Sequence, residues 1–438
     1  MILDQATEAK TKVANDIFAK CHTDGGYFGE LRHAQDDMLT RPILPPNPDR
    51  IMEFKGRPHI MWSVNNYLGL ANHPDVLKVA HSAIDEFGVS SPMGSRMMSG
   101  NTVYHKQLES ELAAHAQKED AFLFNYGYMG VQGTIQSLVA KDDIIVMDKL
   151  AHACIVDGAF LAQAMTGAQL RVFKHNNMES LEQVLKRVNR ERKGGVLILT
   201  EGVYGMTGDL AKLDEIVALK NKYDARLYID DAHGWGVMGE AGRGTADHFG
   251  VQDGVDIYFG TFAKSFASIG GFSAGDKAVM DWIAYNARTQ VFAKSLPMVY
   301  VQTLAKTLEL VKGADENRAQ MWRISNMLKD GLREQGFYVG PGEGPICSVF
   351  IPIEEDEVDS VGMQTVSYVR DRGVFVTAIK YPVIPLGLLM FRMIPTAMHT
   401  EEDAQTTLKI FKEMRDNMHL RLSVTPEEER KIQKVYGL

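Results

Sequence analysis

Cysteine is scarce in this chain: Cys21, Cys154 and Cys347 are three in number and far apart along 438 residues. An odd, scattered set excludes a disulfide framework and suits a reducing compartment, so the cytoplasm is the expected location. No stretch approaches the ~20 apolar residues of a membrane-spanning helix. The opening "MILDQATEAKTKVANDIFAK" is charged and helix-periodic, without the apolar core of a signal peptide. The formal net charge is −9 and no run of Lys or Arg interrupts it, which argues against a nucleic-acid binder. Internal repeats and low-complexity tracts are missing too. What remains, 45% hydrophobic and 24% charged residues, is ordinary for a globular protein. At about 100–200 residues per domain the length predicts two domains.

Residues 1–60 read as an amphipathic helix followed by an arm, "RPILPPNPDR", whose prolines favour an extended path. From 61 to 300 the chain alternates short apolar runs ("AFLFN", "DIIVMD", "LRVFKH", "GVLILTEG", "ARLYIDD", "DIYFGTF") with helical patterns such as "MESLEQVLKRVNRER". This alternation predicts a large α/β domain, a mainly parallel sheet with helices on both faces. Residues 301–420 hold two long helical patterns, a few strands ("CSVFIPI", "GVFVTAI", "LLMFRMI") and a last helix, which predicts a smaller α+β domain. The remainder, 421–438, reads as a charged tail, with "TPEEERKIQKVYGL" a helix at a solvated end.

In open α/β sheets ligands bind outside the carboxyl ends of the strands, so the residues just after each apolar run carry the interest. "ARLYIDDAHGWG" ends a strand on Asp230, with Asp231 and His233 following; taken alone this is equally a turn or a helix cap. No further His, Cys or carboxylate stands at a ligand spacing, so no metal is expected. "AFLFNYGYMGVQG" is a strand, a glycine-containing turn and a helix start, either a tight connection or a place where backbone N–H groups and the helix dipole favour a phosphate. "DIYFGTFAKSFASIGGF" puts Lys264 after a buried strand. Most lysines are solvated, but one desolvated there has a lowered pKa and a neutral amine able to form an imine.

A carboxylate for a pyridinium nitrogen, a phosphate cradle and an imine-forming lysine are together what a pyridoxal-phosphate site requires. The wording resembles the α-oxoamine synthases, fold-type I (aspartate aminotransferase-like) pyridoxal-phosphate enzymes that condense an amino acid with an acyl thioester and release carbon dioxide. The resemblance rests on "NNYLGLANHPDV" (65–76), "GSRMMSGNTVYHKQLESELA" (94–113), "FNYGYMG" (124–130), "HACIVDGAFL" (152–161), "EGVYGMTGDLAKL" (201–213), "DDAHGWGVMGEAGRG" (230–244), "GTFAKSFASIGGF" (260–272), "FAKSLP" (292–297) and "FRMIPTAMHT" (391–400). It covers nearly all of the chain except its two ends.

The resemblance implies that Lys264 carries pyridoxal 5'-phosphate and then serves as the base. Asp230 would face the ring nitrogen, His233 the ring hydroxyl oxygen, and His152 the ring face. Gly127, Tyr128 and the Thr261 hydroxyl would lie on the phosphate side, with Arg392 and Asn66 on the amino-acid carboxylate. The segment 286–298, with Ser295 and Lys294, would reach the cofactor phosphate of a second subunit, implying a homodimer with shared sites. Three positions depart from the pattern: Ala263, Gly205 and Ala293 stand where relatives carry hydroxyl residues.

The wording is nearest to serine palmitoyltransferase-like members. The expected reaction is therefore serine with a long-chain acyl thioester, on coenzyme A or an acyl carrier protein, giving a sphingolipid-type 3-keto base. Relatives that take cysteate for sulfonolipids share nearly all these motifs. The other readings are a short-acyl condensation of the glycine C-acetyltransferase or 8-amino-7-oxononanoate synthase type and a catalytically silent regulatory subunit. The joint presence of Lys264, Asp230, His152, His233 and Arg392 speaks against the silent subunit.

Overall fold

The computed structural model describes residues 16–23, 41–353, 357–380, 383–384 and 386–437. The helix expected over the first twenty residues lies almost wholly outside them. The arm 41–50 carries no helix or strand.

The strands are β1 (Ile51–Phe54), β2 (Arg57–Met61), β3 (Asp120–Phe124), β4 (Ile144–Asp148), β5 (Gln169–Phe173), β6 (Val196–Glu201), β7 (Arg226–Asp230), β8 (Ile257–Thr261), β9 (Gly271–Gly275), β10 (Tyr338–Val339), β11 (Cys347–Pro352), β12 (Val374–Phe375), β13 (Thr377–Ile379) and β14 (Leu388–Met393). Seven of them form the large sheet in the order β3-β9-β8-β7-β6-β4-β5. Pairings β8–β7, β7–β6, β6–β4 and β4–β5 are parallel, and β9 runs antiparallel to both neighbours. Each expected strand of this domain is present.

Successive side chains of a strand face opposite sides, and the two cores divide accordingly. Ile144, Val146, Leu227 and Ile229 pack on one face, with the helix Met298–Lys312. Ile145, Met147, Tyr228 and Phe259 pack on the other, with the helices Gly127–Leu138 and Ala153–Thr166. Burial on both faces explains why these strands read as unbroken apolar runs rather than as alternating ones.

The smaller unit is built on the antiparallel sheet β10-β11-β14-β13. Its core joins Ile324, Leu328 and Leu332 to Val349, Ile351, Phe391 and Phe411. The changeover between cores falls inside the helix Asp315–Glu334, since Met321 packs on the large sheet and Ile324 on the small one. Residues 51–61 also belong with the small unit. β1 and β2 form a hairpin across Lys55 and Gly56, both at positive φ as a type I′ turn requires, and β2 pairs in parallel with β12. "GVFVTAI" therefore splits at Val376 into two strands of two different sheets.

The tail forms the expected helix, Pro426–Val435, but one side of it is packed rather than solvated. Thr425 and Glu428 close a capping box, a feature worth about 1 kcal/mol. Ile432, Val435 and Tyr436 pack on Phe350, Leu388 and Met390.

Candidate active site

Four parallel strands end on polar residues that sequence order alone keeps apart: Asp148 on β4, Glu201 on β6, Asp230 on β7 and Thr261 on β8. All four are buried. Lys264 follows β8 by one turn, and its amine has no hydrogen-bond partner among the described residues. Burial holds it at about 8; Asp230 and Glu201 pull it upward and Arg392 pushes it further down. Lowering the amine's pKa raises its neutral fraction, the form that makes an imine.

Asp230 Oδ1 accepts from the Ala232 N–H at 3.1 Å, while Oδ2 has, among the described residues, only the Cys154 thiol at 3.5 Å. His152 caps the helix Ala153–Thr166: its Nδ1 accepts from the Cys154 N–H at 3.3 Å and faces the Cys154 Sγ at 2.9 Å. Its imidazole is held below the ordinary value by burial and by Lys264, against Asp230. His233 is buried and pairs through Nδ1 with the Tyr67 hydroxyl at 2.8 Å. Burial, with Lys264, Arg392 and His152 nearby, keeps it well below its usual range, so both imidazoles act as neutral groups.

Gly127 opens its helix beside β8, where an added Cβ would come within 2.7 Å of the Thr261 Oγ1. Backbone amides at such a helix start can cradle a phosphate only if the residue stays small. The Tyr128 hydroxyl donates to Asp157, and that bond, with some burial, pushes the phenol up to about 12. Arg392, on β14, donates from Nε to the Gly205 carbonyl at 2.6 Å. Its terminal fork has no partner among the described residues. A Cβ at 205 would collide with His233 Nε2, so a side chain there requires the imidazole to shift. Ala263 is exposed in the turn after Thr261.

Two expected residues are engaged elsewhere. Asn66 accepts from the Ala71 N–H at 3.3 Å and donates to Met398 Sδ at 3.4 Å. Its neighbour Asn65 is the one left with a buried, unpaired Oδ1, the better contact for a ligand. Ser295 is fully buried and donates to the Gly94 carbonyl at 2.8 Å, away from the strand-end group. Glu201 was not among the expected site residues although it ends an apolar run just as Asp230 does. Burial and the adjacent Asp230 hold its carboxyl well above the ordinary range, against Lys264. Tyr67, the partner of His233, sits inside the quoted "NNYLGL" without any signal of its role.

Taken together, the unpartnered amine, the half-free carboxylate and the glycine cradle fit pyridoxal phosphate, and on this fold they define a pyridoxal-phosphate transferase. The family model of aminotransferase class I and II matches residues 57–411. The chain is 43% identical over 407 residues to a cysteate-C-fatty acyltransferase of Capnocytophaga ochracea, covering 92% of this chain and 95% of that one. It is 37% identical to a serine palmitoyltransferase of Bacteriovorax stolpii, over 82% and 83% of the two chains. The solved serine palmitoyltransferase of Sphingomonas wittichii superposes with a TM-score of 0.83 at 30% identity, covering 92% and 99%. The chain belongs to the aminotransferase class I and II family and, within it, to the α-oxoamine synthases, pyridoxal-phosphate-dependent acyltransferases. Among the described residues no helix is long and apolar enough to cross a membrane, and no group of side chains could hold a metal ion.

Proposed function

We propose that this α-oxoamine synthase condenses cysteate with a fatty acyl thioester in the cytoplasm, releasing carbon dioxide and the thiol. The observation that carries the reading is the 43% identity with the cysteate-C-fatty acyltransferase over nearly the whole of both chains, against 37% for the serine enzyme. The comparison thus favours cysteate over the serine first expected. The Arg392 fork is free for an anionic group, and Gly205 brings no side chain to its flank.

Bound pyridoxal phosphate supplies an aldehyde that forms an imine with an amine and a ring that withdraws electrons from the substrate Cα. Lys264 holds the group and, as a neutral amine, takes the Cα proton. Asp230 would face the ring nitrogen and favour its protonated form. His152 would bound one face of the ring, and His233, held by Tyr67, would offer a hydrogen bond to its oxygen. Gly127 and Thr261 bound the phosphate side, with Tyr128 beside them. Arg392 would grip the carboxylate with two parallel bonds and so fix which Cα bond stands toward the ring, and Asn65 would supply a further contact. The test is to titrate the holoenzyme with single amino acids and follow its visible spectrum. Cysteate is expected to change the spectrum at concentrations at least about tenfold below serine, ~1.4 kcal/mol of preference. Equal or stronger response to serine sinks the cysteate reading while leaving the class intact.

A homodimer with shared sites is part of the same proposal. It is supported by the surface formed where 91–101 meets 286–298: Ser95 bridges Lys294, Ser295 N donates to the Gly94 carbonyl, and Met93, Met98, Tyr285 and Phe292 stand exposed around them. Exposed apolar side chains gathered this way mark an interface. Lys294 is exposed there and free to reach a neighbour's phosphate, whereas Ser295 is bound within its own chain. Subunit exchange between inactive Lys264→Ala and inactive Lys294→Glu is expected to restore part of the activity, because one site in each mixed dimer then carries neither lesion. Sedimentation showing a fully active monomer would rule this out.

A further inference from the structure

The segment after β6 turns back on itself as a hairpin: Val203 bridges Leu210, Tyr204 N–H reaches the Asp209 carbonyl at 2.9 Å, and Ala211 N–H reaches Gly202 at 3.0 Å. Its tip lies between the two cores. On the small-unit side it takes the Arg392 Nε bond on Gly205, the Ser348 hydroxyl on Met206 at 2.9 Å and the Gly344 N–H on Gly208 at 2.7 Å. On the large-sheet side it is held by one buried cluster. His175 Nδ1 lies 2.9 Å from Asp148 Oδ1, and Nε2 lies 3.0 Å from Asp209 Oδ2. Asn176 completes the clasp, giving its backbone N–H to Asp148 Oδ2 and its side-chain amide to the Leu210 carbonyl, both at 2.8 Å.

Ionised carboxylates only accept hydrogen bonds, so an imidazole bonded to one at each nitrogen carries both protons and is a cation. Burial opposes that charge, but the bonds to Asp148 and Asp209 outweigh it and raise His175 to about 10. The other titratable groups facing the cluster are Tyr204, whose ring meets His175 edge-on, Glu201 and Tyr436. Burial pushes all three of these groups upward. The clasp therefore seats the imidazole between two carboxylates, one at each ring nitrogen.

We propose that Asp148, His175 and Asp209 are positioning residues for the amino acid. They fix the hairpin against the strand ends, the Gly205 carbonyl fixes Arg392, and Arg392 then presents its fork at one angle. None of the three touches the reacting atoms. The proposal rests on the reading that Arg392 binds the substrate carboxylate.

The holoenzyme variants His175→Gln, Asp209→Asn and Arg392→Lys test both levels. Arg392→Lys is expected to raise the amino-acid KM at least tenfold, and an unchanged value overturns the carboxylate reading and the proposal with it. With that effect in hand, His175→Gln is expected to raise the amino-acid KM about tenfold while kcat and the acyl-thioester KM stay within about threefold. Combined with Arg392→Lys it should add less than its single effect, since both act on one contact. A folded His175→Gln enzyme with the wild-type amino-acid KM, or with both KM values raised alike, overturns the anchor and leaves the Arg392 reading standing. Should His175→Gln not fold, Asp209→Asn is held to the same criteria, because its one remaining oxygen can still accept from His175 Nε2 while the charge is gone.

Stability gives a second readout. A raised pKa stabilises the fold fully below the unfolded value near 6.5 and loses that contribution as pH rises through about 10. The wild-type urea midpoint should therefore fall over that window more than the midpoint of the folded variant does. Parallel curves overturn the charged clasp.

Discussion

Lys264→Ala is expected to abolish turnover while the protein stays folded. The loss should reach at least about 10²–10⁴-fold, the share a positioned base contributes by itself, with loss of the covalent cofactor link adding to it. The fold should tolerate the change because the amine has no hydrogen-bond partner among the described residues and burial already disfavours its charge. Circular dichroism and thermal unfolding check the fold, and product formation checks the chemistry. Lys264→Arg separates charge from proton transfer, since a guanidinium keeps the cation but cannot give up its proton; it should be as inactive as the alanine variant. The same amine makes a pH prediction for the apoprotein. Only the neutral form attacks an aldehyde, so the rate of pyridoxal-phosphate attachment should climb with pH and level off above about 8. A folded Lys264→Ala enzyme with normal turnover would refute the assignment.

Much of the site was legible because its chemistry sits at strand ends. β4, β6, β7 and β8 are apolar runs buried on both faces, and their last residues mark where a ligand can sit. Asp230 and Lys264 stand at and just after such strand ends, while the roles proposed for them came from the resemblance. β9 was not: "GFSAG" is too short and too rich in small residues to signal a strand, and it is held only by antiparallel pairing with β3 and β8. The hairpin 51–61 was taken for part of an arm because its partner β12 lies far along the chain, and no local pattern reports a distant parallel pairing.

Side-chain direction was the other missing quantity. Asn65 and Asn66 are identical in sequence terms, yet one closes a turn on Ala71 and the other keeps an unpaired oxygen. His175 and Asp209, in "LRVFKH" and "EGVYGMTGD", meet only through the folding of the sheet. The charge between them could not be inferred before the two carboxylates were placed on opposite sides of one ring.

Asp230→Asn is expected to fold and to keep attaching the cofactor, but to lose about 10²–10³-fold in turnover, the usual effect of removing one preorganised electrostatic partner. The amide retains an oxygen for the Ala232 N–H and places its nitrogen against the Cys154 sulfur, so the packing at the end of β7 survives. What disappears is a negative charge that two neighbours sense. Asp230 raises Lys264, which should titrate below 8 once that charge is gone, and it raises Glu201, whose carboxyl should fall as well. The attachment rate of pyridoxal phosphate to the apoprotein should therefore reach half its maximum at a lower pH than in the wild type, even as turnover drops. These two changes run in opposite directions, and a general loosening of the site would not produce them together. An unshifted attachment profile would remove Asp230 from the electrostatics of Lys264, and wild-type turnover would remove it from the ring nitrogen.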